Sequence, residues 1–175
     1  MTMTAASRTI AVLAAGVTMV VACSAPATTT ALTAATIAAS SVTAPPGPQA
    51  AILGTALDVA TLNSAASYTV SNLAPVPIDA QIIPANGTMY SVDVTIAAHS
   101  GTTIFNGFYF VARDQDGARI APAVGAVKPG ITSGQLSAGQ TVAGHLAFDV
   151  PAGKSIAQVG LRDPQGKTVA IWGAG

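Results

Sequence analysis

The run Tyr90-Ser91-Val92-Asp93-Val94-Thr95-Ile96 alternates apolar and polar side chains without a break. Successive side chains on a strand point to opposite faces, so this run specifies a strand with one buried and one wet face. A chain organised around it must supply a second apolar layer. Further β-type runs are rich in Val, Ile, Thr and aromatics: Ile52 to Val59, Ser67 to Leu73, Thr103 to Ala112, Thr141 to Val150, Ile156 to Leu161 and Thr168 to Trp172, with an eighth strand near Ile120 to Val124. Between them stand turn-forming pairs and clusters: Asn86-Gly87, Ser100-Gly101, Asp116-Gly117, Gly139-Gln140, Pro151-Ala152-Gly153 and Asp163-Pro164-Gln165-Gly166. These residues supply the positive or fixed φ angles of tight turns.

Seven to eight short strands without a helical period between them predict an all-β fold, an immunoglobulin-like antiparallel β-sandwich, with a barrel as the alternative. Within Thr141 to Val150, Val142, Leu146, Phe148 and Val150 are expected in the core, opposite His145, Ala147 and Asp149. Cys23 is the only cysteine, so no disulfide can join the sheets. Phe105, Phe108, Phe110, Phe148, Tyr90 and Trp172 are the bulky core candidates, although Phe105 and Phe108 differ in parity and cannot both face inward.

Composition agrees with strands. There is no Glu in the 175 residues, and only 8% of them are charged. Seven Lys/Arg against seven Asp/Glu leave no basic stripe. A nucleic-acid ligand needs such a stripe to neutralise phosphates, so none is expected, and recognition of anionic lipid through a polybasic segment is disfavoured on the same ground.

The N-terminus reads as an export signal. Arg8 is followed by the uncharged stretch Thr9 to Ala22, whose 14 residues suit a signal h-region. A spanning helix needs roughly 20 apolar residues. The stretch ends Val20-Val21-Ala22-Cys23, the pattern of a bacterial lipobox, and lipidation accounts for both the position and the solitude of Cys23. Ser24 to Ala50 carries neither charge nor aromatic ring and ends Pro45-Pro46-Gly47-Pro48, a composition suited to a spacer and a candidate for O-glycosylation. The expected organisation is a lipoprotein signal peptide at 1–22, lipidated Cys23 and its Thr/Ala/Pro tether at 23–50, and a sandwich domain at 51–175. The expected location is the outer face of the cytoplasmic membrane or the cell envelope, with partial release.

Three segments carry a family resemblance: Gly87 to Ala98 leading to Gly101, Phe110-Val111-Ala112-Arg113 followed by Gly117, and Gly139 to Val150 with a terminal Ile171-Trp172. In this order and spacing they resemble the MPT/MPB sixty-three-like secreted immunogenic antigens of mycobacteria, a family of unknown function. The resemblance covers roughly Ala51 to Gly175. It implies an immunoglobulin-like sandwich, export from an actinobacterial cell, and no established enzymatic activity or cofactor, and it brings no catalytic residues to carry over. Cys23 departs from the family's ordinary secretory signal and points to membrane retention.

Chemistry-bearing residues are few. His145 and Asp149 share a strand face but lie roughly 13 Å apart at about 3.3 Å per residue, too far for a dyad. His99 could enter a Ser/His/Asp assembly only with residues from elsewhere, and no Gly-x-Ser-x-Gly elbow occurs. Asp114-Gln115-Asp116-Gly117 begins like a calcium loop but lacks its later ligands, so a hairpin turn is expected. Asn86-Gly87-Thr88 fits a glycosylation pattern and is read as a turn. Tyr109 and Arg113 are placed on one strand face, as a binding patch or as decoration of a wet sheet. The leading expectation is a non-catalytic binding or structural module and surface antigen displayed at the envelope. It would be bound to the membrane through Cys23, with an envelope or host protein as partner and the monomer as its state. A carrier of an apolar ligand between the sheets, and less so a hydrolase, are the alternatives; no metal or cofactor is expected.

Overall fold

A computed structural model describes residues 47–175, so the signal peptide at 1–22, Cys23 and most of the tether lie outside the described residues. The described part is all-β, with ten strands and two short 3-10 turns. No helix among the described residues is long and apolar enough to cross a membrane. One sheet contains β1 (Gln49–Ile52), β10 (Thr168–Gly173), β9 (Ile156–Arg162), β5 (Phe110–Asp114) and β6 (Arg119–Ile120), in that order. The other runs β2 (Ala56–Ala60), β3 (Ser64–Pro75), β4 (Thr88–Asn106), and then β7 (Ser133–Ser137) and β8 (Thr141–Val150), which both pair with β4. All pairings are antiparallel except that of β1 with β10. β1 takes in Gln49 and Ala50, two residues ahead of the domain start expected at Ala51.

The two sheets pack face to face as an immunoglobulin-like sandwich. Val92, Val94, Ile96 and Ala98 of β4 point inward, as the alternation predicts, and meet Tyr68, Val70, Leu146, Phe148 and Val150 of the same sheet and Phe110, Val159, Leu161 and Trp172 of the other. Burying one such large side chain fully contributes about 1.5–3 kcal/mol. Trp172 is completely buried, and its indole N–H donates to the Thr55 carbonyl at 2.8 Å. A second, smaller cluster of Met89, Ala126, Val127 and Ala147 lies apart from the main core, with Val76, Ala85 and Ala123 packed against it. Ala147 is therefore buried too, although it faces away from Phe148.

Ser100-Gly101, expected to be a turn, instead lies within β4, which runs for 19 residues. Gly101 sits at φ +64°, and a Cβ there would stand 1.9 Å from the Asn63 carbonyl oxygen, so only glycine fits. The irregularity switches the parity of the strand: Ala98 is buried before it, Thr103 and Phe105 after it. The strand expected over Thr103 to Ala112 is broken after Asn106, whose side-chain oxygen accepts from the Phe108 N–H at 2.9 Å and starts a 3-10 turn at Gly107–Tyr109. Phe108 is thereby turned out and 64% exposed, whereas Phe105, Phe110 and Phe148 are buried.

Candidate functional site

β3 begins at Ser64, opposite Gly101, while β4 continues five residues further with β7 alone as its partner. The sandwich is therefore open at this end. A cleft of about 300 Å³ lies there, lined by β2, β3 and β4 on one side and by β5, β9 and β10 on the other. Its inner wall is apolar and aromatic: Ala66, Tyr68, Phe105, Phe110 and Leu161. Thr61, Asn63, Ser64, Thr102 and Asn106 add neutral polar groups, and Arg162 and Asp163 are the charged lining residues. Burial lifts the Tyr68 phenol above its usual 10.0.

Thr103 is the unusual member. It is 4% exposed, and its hydroxyl is a buried side-chain polar atom without a protein hydrogen-bond partner among the described residues. Such a group costs about 1–3 kcal/mol unless something completes it. Pockets of this size with an apolar wall and a few polar groups are the usual form of a ligand site.

The residues singled out for chemistry fall elsewhere. His145 and Asp149 are not a dyad. Instead His145 Nδ1 meets Asp93 Oδ1 at 2.7 Å across the β4–β8 pair, and Asn72 Nδ2 donates to the other Asp93 oxygen at 2.6 Å. His145 also lines a small depression of about 190 Å³ with Ser91 and Lys128. Among the described residues no hydrogen bond joins Ser91 to His145.

His99 does gather a serine and an aspartate. Its Nε2 lies 3.0 Å from Ser67 Oγ and 3.8 Å from Asp58 Oδ1. A proton relay needs the carboxylate on one ring nitrogen and the serine on the other. Here both face the same nitrogen, and the His99 side chain is 54% exposed. The cluster is a solvated polar contact.

Asp149 accepts from the backbone N–H groups of Asn86 (2.8 Å) and Gly87 (2.9 Å). Those two bonds hold its carboxyl below the usual 3.8 and tie Asn86-Gly87, expected as a turn and found as a bend leading into β4, to the neighbouring strand. Asp114 Oδ1 likewise accepts from Asp116 N–H and Ala118 N–H, so the calcium-like segment is the β5–β6 turn. Asp116 pairs with Lys154, and its carboxylate raises the Lys154 ammonium above its usual 10.5. Tyr109 and Arg113 do not share a strand face. Tyr109 ends the 3-10 turn and lines the cleft, while Arg113 Nη1 donates to the Gly117 carbonyl at 2.8 Å.

Sequence reading missed the cleft and the Asp93–His145 pair. Each depends on which strands become neighbours and where they stop, which spacing along the chain does not encode. Among the described residues no group of three or more potential metal-ligating side chains converges.

None of the curated proteins matches this sequence. Among solved structures the chain is similar to MPT63, a secreted protein from Mycobacterium tuberculosis, with TM-score 0.65 and 22% identity over 72% of this chain and 97% of that one. The yjhA protein from Bacillus subtilis is a more distant likeness, with TM-score 0.47 and 17% identity over 65% of this chain and 80% of the other. At such identities the likeness to MPT63 is one of fold. The family model for a domain of unknown function, DUF1942, matches residues 48–172, well over half of the sequence, and the chain belongs to that family.

Proposed function

We propose that the chain is an exported lipoprotein, held at the outer face of the cytoplasmic membrane or cell envelope by lipid on Cys23, that presents its sandwich as a non-catalytic binding module. The observation that carries the binding role is the cleft at the open end of the sandwich: about 300 Å³, walled by aromatic side chains, with a buried hydroxyl that has no protein partner among the described residues. The leader Thr9 to Ala22, the lipobox at Cys23 and the uncharged tether support export and anchoring. The likeness in fold to a secreted mycobacterial protein supports export as well. The histidines support a non-catalytic role, since His99 presents one nitrogen to both its partners and His145 is held by a carboxylate, with no nucleophile bonded to it among the described residues. The partner on this reading is an envelope or host protein.

Crosslinking on intact cells from a photoreactive residue at position 104, beside the cleft, tests it. One dominant adduct is expected there and none from the same group at position 154. Equal labelling from both positions refutes the assignment of the cleft. For the anchor, radiolabelled palmitate is expected to enter the wild type and not Cys23→Ser; equal incorporation refutes lipidation. The apolar wall also favours a second reading, a carrier of a small apolar ligand. Native mass spectrometry of protein isolated from membranes then shows a copurifying molecule, and its absence removes this reading.

A further inference from the structure

The open end of the sandwich leaves the backbone of β4 unpaired on one side. β3 pairs with β4 only as far as Ser64 opposite Gly101, and beyond that point β7 is the only strand paired with Thr102–Asn106 among the described residues. The polarity of that pairing can be read from its ends. Ala138 N–H donates to the Gly101 carbonyl at 3.1 Å, and Gly107 N–H donates to the Thr132 carbonyl at 2.6 Å. In an antiparallel ladder the residues that bond a given neighbour alternate. Residues 101, 103, 105 and 107 therefore turn their backbone groups toward β7. Thr102 and Ile104 turn theirs to the other side, where β3 has already ended, as does the Asn106 N–H, while the Asn106 carbonyl begins the 3-10 turn at Gly107–Tyr109.

An unpaired strand edge is a template for another strand. Along β8 the same sheet covers its edge: Ala123 N–H donates to Ala147, Ile131 N–H donates to His145, and His145 N–H donates to Pro129. The edge at Thr102–Asn106 also adjoins the cleft, and all five of its residues line it. Ile104 is 62% exposed there.

We propose that this edge receives an extended segment of the partner polypeptide, which extends the sheet beside β4 in line with β3 and inserts alternate apolar side chains into the cleft. The inference rests on the binding-module reading of the cleft. The backbone chemistry selects a peptide over a lipid, because N–H and C=O groups at strand spacing are complementary to another backbone. The cleft sets the side chains. Opposite inward-facing Thr103 and Phe105, a five-residue segment aims about two side chains inward. An apolar cavity of about 150 Å³ accepts one benzene ring, so about 300 Å³ takes two rings or branched aliphatic groups. This is the strand-addition mode, in which main-chain bonds give affinity and pockets for alternate residues give specificity.

The test uses the full chain carrying Cys23→Ser, to keep it free of lipid, and a fluorescent peptide of sequence KTVTFTVTK, whose apolar residues alternate and whose terminal lysines suppress self-association. Fluorescence anisotropy measures its binding and that of a series N-methylated at one residue each. N-methylation is expected to weaken binding about tenfold at every second residue and to leave it within about twofold at those between. Ile104→Pro removes one N–H from the open edge but none from the β7 ladder, and proline is tolerated on an edge in that orientation. It is expected to weaken binding at least tenfold, and Ile104→Val to retain it. Should the proline variant not fold, the N-methyl series on the unchanged edge still decides.

Binding without a two-residue period overturns strand addition. No peptide binding while naphthalene still binds by equilibrium dialysis overturns it too and leaves the cleft reading standing. Failure of both removes the cleft reading as well. Self-association of the free chain that Ile104→Pro abolishes would assign the edge to a second copy and also overturn the proposal.

Discussion

Replacing Thr103 by valine should make this domain more stable. The two side chains have nearly the same shape, and the exchange removes one hydroxyl that is buried and lacks a protein partner among the described residues. An unsatisfied buried polar group costs about 1–3 kcal/mol, whereas an apolar group of the same outline at that place costs nothing comparable. Valine is also at home in a strand, so the backbone of β4 gives no opposing penalty. For a domain of this size each kcal/mol corresponds to about 4 °C, between the ranges for smaller and larger domains, so the midpoint of thermal unfolding should rise by about 4–12 °C. Urea unfolding followed by circular dichroism checks the energy directly, with an unchanged m value to show that the same surface is exposed. Thr102→Val is the control. Thr102 is exposed on the same strand, and its exchange should stay within about 0.5 kcal/mol. A loss of stability in Thr103→Val, or no change, would refute the reasoning, because it would mean that the hydroxyl is already satisfied in the free protein.

Asp149 is bonded in its charged form and titrates below 3.8, so it contributes stability above the unfolded value that is lost as pH falls through the lower folded value. Asp149→Asn should lower stability at neutral pH and flatten the acid limb below pH 3.8, as read by urea titrations across that range. Gly101→Ala meets both a positive φ and the Asn63 carbonyl, and should cost more than about 1 kcal/mol in the same assay. Trp172→Phe leaves the Thr55 carbonyl without its 2.8 Å donor and opens a void in the main core. It should cost about 2–4 kcal/mol by thermal unfolding, with the Leu53–Thr55 segment gaining the most hydrogen exchange.

What could be read from the sequence was local. The alternation in Tyr90 to Ile96 gave the correct inward face because the period of two is a property of the strand itself. Thr141 to Val150 was bounded correctly because Gly139-Gln140 and Pro151-Ala152-Gly153 punctuate both ends. Ser133–Ser137 was missed because it offers one buried apolar residue, Leu136, against four small or polar ones, too few to make a pattern. Ile52 to Val59 was read as one strand, whereas Gly54 at φ +91° divides it and sends the chain from one sheet to the other. At Ser100-Gly101 a glycine signal was present and its meaning differed. The same residue that closes a hairpin elsewhere lets β4 change parity and run on past its neighbour. The cleft was beyond reach for this reason. It exists because one strand outlasts another, and strand lengths in a sheet are settled by packing across it.

The first and last strands lie side by side: Gln49 stands opposite Ala170, and Trp172 reaches back to Thr55. A ribosome releases a polypeptide from its N-terminus, so neither sheet edge nor indole can find its seat until β10 has emerged. Contacts that span so much of a chain form slowly. The architecture thus leaves to the last strand both the closing of one sheet edge and the seating of the only tryptophan.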